Sequence, residues 1–175
     1  PLNKISKNIT ENEKTHILMD IHRPENFQYP ERLSKILEFA NYSIEKTGLP
    51  VKMLKFGRTL NAIKRFNLNI GNIDMVDSMG YKDFVRFMCQ SKFIISDSGT
   101  AQEEPALLKI PVLVPREYTE RPESYETNCS KKLSLKYDSY SDSLGWAMNG
   151  FGGCSDWLGG DNTSSMIVNI LRSKL

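Results

Sequence analysis

Cysteine is scarce in this chain of 175 residues, and its few cysteines are not grouped. Cys89, Cys129 and Cys154 stand far apart without a CxxC pair, which argues against a zinc site or a redox dithiol. Thiols without a disulfide pattern are typical of the reducing cytoplasm, so we expect a cytoplasmic protein. The chain also lacks an apolar run of about 18 residues and a basic-then-apolar leader, so neither a bilayer span nor a secretion signal is expected.

Charge of one sign is not in excess either. The 23 basic and 21 acidic side chains leave a net charge of +2 and form no basic stripe, so a nucleic-acid-binding module is not expected. The length suits about one domain. Residues 1–14 are polar and weakly patterned, which indicates a linker or arm ahead of a domain at 15–175. Pro1 in place of Met is typical of a trimmed piece of a longer protein.

Short apolar runs alternate with helical patterns along most of the chain. The predicted strands are 16–21, 51–56, 73–76, 93–96, 111–114 and 132–135. One predicted helix begins at Pro30 and ends before Gly48. The other predicted helices cover 60–66, 81–89, 101–108 and 164–171. In the last of them, Met166, Ile167 and Ile170 are expected to point inward. This alternation predicts an α/β fold with a parallel, doubly wound sheet.

Polar side chains are concentrated at three places where a predicted strand ends. The loops are 22–26 (His-Arg-Pro-Glu-Asn), 97–100 (Asp-Ser-Gly-Thr) and 116–123 (Arg-Glu-Tyr-Thr-Glu-Arg-Pro-Glu). In an open parallel sheet, ligands bind at the carboxyl ends of the strands. We therefore expect these loops to form the functional site.

The loop 97–100 leads directly into a predicted helix. Free N–H groups at a helix start favour an anion, Gly99 would allow a phosphate to approach the backbone, and Ser98 adds a hydroxyl donor. The alternative is an ordinary helix cap formed by Asp97 or Ser98. The residues alone leave both interpretations open.

Charged side chains in and near the loops also have two interpretations each. Glu104 suits the two hydroxyls of a ribose, but a carboxylate in a first helical turn commonly serves the helix dipole. Arg116 and Arg121 suit bidentate phosphate binding, or pairing with the acidic residues around them. His22 suits a phosphate contact, a proton transfer or a structural role, whereas His16 within a strand is expected to be structural.

In combination these motifs resemble the C-terminal domain of the non-hydrolysing UDP-N-acetylglucosamine 2-epimerases. The matching segments are 22–26, then Asp-Ser-Gly at 97–99 with Gln-Glu-Glu-Pro at 102–105, then Arg116 with 119–123. The segment 81–84 matches a fourth family motif. The resemblance covers most of residues 18–124 and keeps the order and spacing of the motifs.

The resemblance implies a Rossmann-like parallel sheet with helices on both faces, as the C-terminal half of a GT-B two-domain fold. The positions that it assigns to UDP binding are His22, Phe84, Ser98, Gly99, Thr100, Glu104, Arg116 and Arg121. Ser98 and Gly99 would bind phosphate oxygens, Glu104 the ribose hydroxyls, and Phe84 would lie by the uracil.

The resemblance also implies a reaction and partners. His22 near the diphosphate and Arg121 near the phosphates or the interdomain cleft would be the catalytic residues of this half. The family inverts carbon 2 of the sugar by eliminating UDP and adding it back, through a 2-acetamidoglucal, without a metal or redox cofactor. The proton-transferring carboxylates come mainly from an N-terminal domain that is missing here, so this piece alone is expected to be inactive. The full-length enzyme is expected to be a homodimer.

Two departures from the family pattern keep other functions open. Thr100 replaces a second glycine, and residues 54–58 lack a His-Pro pair that often follows the second strand. A related epimerase acting on another UDP-N-acetyl sugar of capsule or O-antigen synthesis is one alternative. The donor-binding domain of a GT-B UDP-sugar glycosyltransferase is a second, and a non-catalytic nucleotide-binding remnant is a third.

Overall fold

The computed structural model describes residues 14–160 and 162–174, so the predicted linker at 1–14 lies outside the described residues except for Lys14. At its centre is a parallel sheet with the order β3-β2-β1-β4-β5-β6. The strands are β1 (His16–Asp20), β2 (Val51–Leu54), β3 (Asp74–Val76), β4 (Ser91–Ser96), β5 (Val112–Val114) and β6 (Ser130–Lys132). This is the doubly wound Rossmann order, and it confirms the predicted fold.

The helices connect the strands and cover both faces of the sheet. They are α1 (Pro24–Phe27), α2 (Pro30–Thr47), α3 (Gly57–Arg65), α4 (Tyr81–Cys89), α5 (Glu104–Leu107), α6 (Pro122–Glu126), α7 (Tyr140–Met148) and α8 (Thr163–Lys174). Helix α2 begins at Pro30, which has no N–H to leave unpaired, and ends at Gly48 in the left-handed conformation with φ 71°. Both boundaries confirm the sequence-based prediction.

The central strands are buried on both faces, as their nearly continuous apolar sequences predicted. In β1, Ile17 and Met19 face a core formed with α2, α3 and α7. Leu18 points to the opposite core, which contains residues of α4. Because consecutive side chains alternate between faces, a single short run of sequence supplies both cores.

One predicted helix is broken in the structure. Instead of a helix at 101–108, a 3₁₀ turn at Thr100–Gln102 is followed by the four-residue helix α5. Pro105 accounts for the break, since it has no N–H and its ring crowds the carbonyl four residues earlier. The helix-dipole argument for an anion at 97–100 is therefore weaker than the sequence suggested.

The C-terminal part of the chain differs most from prediction. Helix α7 was not predicted, and β6 lies at 130–132 rather than 132–135. Helix α8 exists, but the prediction that Met166, Ile167 and Ile170 point inward was wrong, because they are 54%, 52% and 57% exposed. Their spacing predicted a helix with an apolar face but not what that face would meet. In the part of the chain that the structure describes, no helix is both long and apolar enough to cross a bilayer.

Candidate functional site

The loops after β1 and β4 meet where the strand order reverses. Asp97, at the end of β4, is fully buried and accepts hydrogen bonds from the backbone N–H groups of His22 and Arg23, at 3.0 and 2.9 Å. It also accepts one from Nδ2 of Asn26 at 2.9 Å. Burial raises the pKa of Asp97, while these hydrogen bonds oppose the rise. Asp97 therefore holds the loop 22–26 in place instead of capping its own helix, a role that the sequence reasoning missed.

His22 lies on that loop beside two carboxylates. Its Nδ1 is 2.8 Å from Oδ1 of Asp20 and 3.5 Å from Oδ1 of Asp97, and its side chain is 32% exposed. The hydrogen bond to Asp20 is the main cause that raises the pKa of His22, against the effect of burial. The structure therefore places a partly exposed imidazole with an elevated pKa at the carboxyl edge of the sheet.

Four of the predicted UDP-binding residues line one cavity beside this loop. Apolar side chains of Leu18, Phe84, Met88 and Ile94 line it together with the polar groups of Asp20, Ser98, Thr100 and Glu104. Larger open depressions of about 300 and 420 Å³ elsewhere on the described surface contain none of the predicted residues. The convergence of Phe84, Ser98, Thr100 and Glu104 is thus a property of the tertiary structure, since these residues come from different segments.

The cavity itself is small, about 40 Å³, which is room for about one water molecule. Glu104, one of its lining residues, accepts a hydrogen bond of 3.0 Å from the hydroxyl of Tyr81. This contact raises the pKa of Tyr81. Tyr81 therefore occupies a hydrogen-bonding position on Glu104 that another hydroxyl group could take.

The turn at 97–100 has no bulky side chain at its centre. A Cβ added at Gly99 would lie 3.9 Å from Nη2 of Arg23 and 4.0 Å from Glu120, which is ordinary contact, so glycine is not required for the fold at this position. The hydroxyls of Ser98 and Thr100 are 2.9 Å apart. The turn therefore presents two hydroxyls and a glycine backbone next to the guanidinium group of Arg23 and the carboxylate of Glu120.

Arg116 is engaged by neighbouring carboxylates in the structure. It is 2% exposed, donates from Nε to Glu25 at 2.9 Å, and makes a forked pair with Glu120 at 2.7 and 3.1 Å. The hydrogen bond from Arg116 lowers the pKa of Glu120 to about 2. The observed contacts match the ion-pairing alternative, so a direct phosphate contact by Arg116 stays a prediction that would require the pair to rearrange.

Arg121 lies at the surface of the same loop. Its Nε donates to Glu103, and its Nη1 donates to the carbonyl of Glu120 at 2.9 Å. Gln102 joins this loop to the 3₁₀ turn, because its Oε1 accepts from Thr119 at 2.8 Å and from Ser124 at 2.9 Å. The side chain of Arg121 is 38% exposed, so part of it can reach a ligand.

Sequence reasoning missed three residues at this site. Asp20 was assigned only to a strand, although it lines the cavity and contacts His22. Arg23 was noted within its motif without a role, yet its guanidinium approaches Gly99. The position of Asp97 at the end of a buried strand was the available signal for its part in holding the loop.

Asp20, His22 and Asp97 also bring ligand atoms within 4.8 Å of one another, the distance range of a metal site. The carboxylate of Asp97 already accepts three N–H groups, and Nδ1 of His22 bonds to Asp20. These atoms satisfy one another by hydrogen bonds. The expectation that no metal or redox cofactor is needed stays a prediction.

A doubly wound parallel sheet with polar loops at its switch point defines a Rossmann-like domain, a fold in which ligands bind at that point of the sheet. The sequence model of the family described as UDP-N-acetylglucosamine 2-epimerase matches residues 2–172. The chain belongs to this family, as the motifs indicated.

Individual relatives agree with the family assignment. The UDP-N-acetylglucosamine 2-epimerase of Methanococcus maripaludis is 29% identical over 173 residues, which are 96% of this chain and 47% of that protein. The UDP-2,3-diacetamido-2,3-dideoxy-D-glucuronate 2-epimerase of Pseudomonas aeruginosa is 32% identical over 104 residues, 59% of this chain and 29% of the relative.

A solved structure of similar fold is the Methanocaldococcus jannaschii UDP-GlcNAc 2-epimerase in complex with UDP-GlcNAc and UDP. It has a TM-score of 0.76 and 26% identity, over 97% of this chain and 50% of that chain. The present chain therefore spans about half the length of these full-length epimerases.

Proposed function

We propose that this chain is the UDP-binding, C-terminal half of a GT-B-type enzyme that interconverts UDP-N-acetylglucosamine and UDP-N-acetylmannosamine. The observation that carries the proposal is the convergence of Phe84, Ser98, Thr100 and Glu104 on one cavity at the switch point of the sheet. Family membership and the similarity to an epimerase bound to UDP-GlcNAc and UDP support the choice of nucleotide.

The cavity residues divide into groups suited to the parts of UDP. Phe84 and the apolar walls would contact the uracil, and Glu104 would accept hydrogen bonds from the ribose hydroxyls in place of Tyr81. Ser98 and Thr100 would offer their hydroxyls to the diphosphate, and Gly99 and Thr100 their backbone N–H groups, because even a short helical turn leaves its first N–H groups without intrahelical partners. The N–H of Ser98 already donates to Oγ of Ser96 at 3.1 Å. Thr100 narrows this turn relative to glycine but adds a hydroxyl 2.9 Å from that of Ser98.

The reaction requires two events at neighbouring carbons. The bond between carbon 1 and the diphosphate oxygen breaks with its electron pair going to UDP, while a base removes the proton on carbon 2. UDP then adds back to carbon 1 of the 2-acetamidoglucal, and a proton returns to the opposite face of carbon 2. His22 and Arg121, on the UDP-binding half, would stabilise the charge that develops on the diphosphate.

The base and the sugar-facing wall would come from a second domain. The chain spans about half of its relatives, and the apolar side of α8 is exposed on this domain, with Ile167, Ile170 and Leu171 each more than half exposed. An exposed apolar face of this kind suits contact with another part of a longer protein. A homodimer of the two-domain enzyme remains our expectation for its assembly.

A UDP titration of the 175-residue chain by NMR, repeated on the two-domain protein, tests the binding site. We expect the amide signals of Phe84, Ser98 and Glu104 to shift, with UMP binding more weakly than UDP. Glu104→Gln should weaken UDP binding about tenfold, since hydrogen bonds to a charged acceptor contribute about 1.5–3 kcal/mol. Glu31→Gln on the exposed side of α2 is the matched control. Shifts confined to another surface, in both proteins, would rule out this site.

Solvent-deuterium exchange at carbon 2 tests the reaction. The two-domain enzyme should incorporate deuterium into UDP-N-acetylglucosamine without an acceptor, whereas the chain alone should not. A glycosyltransferase would instead need an acceptor and would leave carbon 2 unlabelled. Exchange by the isolated chain at an appreciable rate would contradict the assignment of the base to another domain.

A related epimerase specific for another UDP-N-acetyl sugar is the second candidate. The similarity to the Pseudomonas aeruginosa enzyme, which is named for a diacetamido uronate, supports this second candidate. The same exchange assay with that substrate in parallel distinguishes the two, because the preferred sugar nucleotide is labelled faster.

A further inference from the structure

The imidazole of His22 is held by a hydrogen bond at Nδ1 and by packing against one aromatic ring. Oδ1 of Asp20 lies 2.8 Å from Nδ1, and Oδ2 of Asp20 accepts a hydrogen bond from Ser96 at 3.2 Å. The ring packs against Phe56 on the β2 side, with 5.1 Å between the ring centroids. An ionised carboxylate can only accept hydrogen bonds, so Nδ1 carries a hydrogen whether His22 is neutral or charged.

This geometry leaves Nε2 as the ring nitrogen that is available to a ligand. Among the described residues, Nε2 has no hydrogen-bond partner, and the side chain is 32% exposed at the carboxyl edge of the sheet. A neutral ring would present Nε2 as an acceptor, suited to a base, whereas a charged ring would present Nε2–H as a donor, suited to a phosphate oxygen. The charge of the ring therefore determines its role.

The two carboxylates that face the ring favour the donor form, and the guanidinium group of Arg23 opposes it. Asp20 comes from β1, Asp97 from the loop after β4, and Arg23 from the start of α1, while Phe56 brings no charge. Asp97 is 3.5 Å from Nδ1 and already accepts three N–H groups of the loop. Asp20 is the closer carboxylate, and among the described residues its side chain bonds only to His22 and Ser96, so it dominates the local field.

We propose that Asp20 is a positioning residue of the epimerase reaction, which holds His22 with Nδ1–H toward β1 and a charged Nε2–H toward the diphosphate. His22 then donates a hydrogen bond to the oxygen that receives the electron pair when the bond to carbon 1 breaks. The proton stays on the ring, and the proton of carbon 2 goes to a base outside this domain. This role rests on the proposed function, but the state of the imidazole can be measured without it.

The measurement is an NMR titration of the histidine side chains in the untagged 175-residue chain from pH 5 to 9. The chain has two histidines, and burial lowers the pKa of His16 to about 4, so His22 alone titrates in this range. We expect a pKa for His22 above 6.5 and, on the alkaline side, ¹⁵N shifts of the tautomer that is protonated at Nδ1. A neutral ring protonated at Nε2 would overturn the proposal without any variant.

Asp20→Asn removes the charge but leaves a side-chain oxygen that can accept from Nδ1–H. We expect the pKa of His22 to fall by about one unit or more, a tenfold loss of proton affinity, because an opposite charge at hydrogen-bonding distance shifts a pKa by about 1–3 units. Asp142→Asn on α7 removes the same charge from an exposed position and should leave His22 unchanged. Equal titration curves for Asp20→Asn and the control would refute the role of Asp20.

In the two-domain enzyme, Asp20→Asn should lower kcat about tenfold or more and move the alkaline limb of its pH profile to lower pH. The KM for the sugar nucleotide should change less than kcat, because the contact strengthens as charge develops in the transition state. An unchanged pH profile would contradict the proposal. If the enzyme proves inactive on every sugar nucleotide tested, the proposed function fails, while the NMR titration still determines whether Asp20 controls His22.

Discussion

Replacing Asp97 should destabilise the whole domain, because its carboxylate is the acceptor for three N–H donors of the loop 22–26. The carboxylate is fully buried, and its bonds to His22, Arg23 and Asn26 are 2.9–3.0 Å long. Asp97→Ala leaves these donors unsatisfied at about 1–3 kcal/mol each, partly offset because a buried charge is also removed. We expect a net loss of about 3 kcal/mol, against a typical total of about 5–15 kcal/mol.

Urea unfolding followed by circular dichroism measures this loss. Asp97→Asn keeps the shape of the side chain but places an NH₂ group against N–H donors. We therefore expect it to lower the free energy of unfolding by about half to all of the loss caused by Asp97→Ala. Asp142→Ala, at an exposed position of α7, should change the free energy of unfolding by less than about 0.5 kcal/mol. A loss below about 1 kcal/mol for Asp97→Ala would show that Asp97 does not hold the loop.

Three further predictions concern other parts of the chain. Burial lowers the pKa of His16 to about 4, so the stability that depends on its neutral form is fully present above pH 6.5 and is lost as the pH falls toward 4. In urea unfolding, His16→Phe should therefore lose about 2 kcal/mol less of its unfolding free energy on acidification than the unchanged chain, a figure that allows for solvent screening. Arg116→Met removes the partner of Glu25 and Glu120 and should cost about 2–4 kcal/mol. A carboxyl titration by NMR should show that the pKa of Glu120 rises from about 2, because the hydrogen bond from Arg116 is the main cause that lowers it. Ile170→Glu, 57% exposed, should change the unfolding free energy of this chain by less than about 0.5 kcal/mol in the same urea assay.

Much of the fold could be predicted because its signals are local. The apolar run that became β1 is long enough for a strand buried on both faces, and Pro30 and Gly48 marked both ends of α2. The rule that polar loops at the carboxyl ends of parallel strands meet at one edge placed the loops 22–26 and 97–100 together, and they are in contact. Helix α7 was not predicted, because it contains Gly145 and its apolar residues show only weak helical spacing.

The pairing of charges at the site could not be predicted from the sequence. Arg116 is bonded to Glu25, which is 91 positions away, and to Glu120 in its own loop, so its phosphate-binding and ion-pairing interpretations looked equal in the sequence. Asp20 was indistinguishable from an ordinary strand residue until Ser96 and His22 were placed beside it.

The sequence by itself determined the order of the strands and of the helices α2, α3, α4 and α8 along the chain, the family, and the types of side chain at each strand end. Those properties depend on periodicity and on residues close together in the chain. The tertiary structure alone decided that Asp97 holds a loop, that Asp20 faces His22, and that the apolar side of α8 is exposed. Hydrogen bonds and burial depend on distances between atoms of remote segments, and those distances exist only once the sheet has formed.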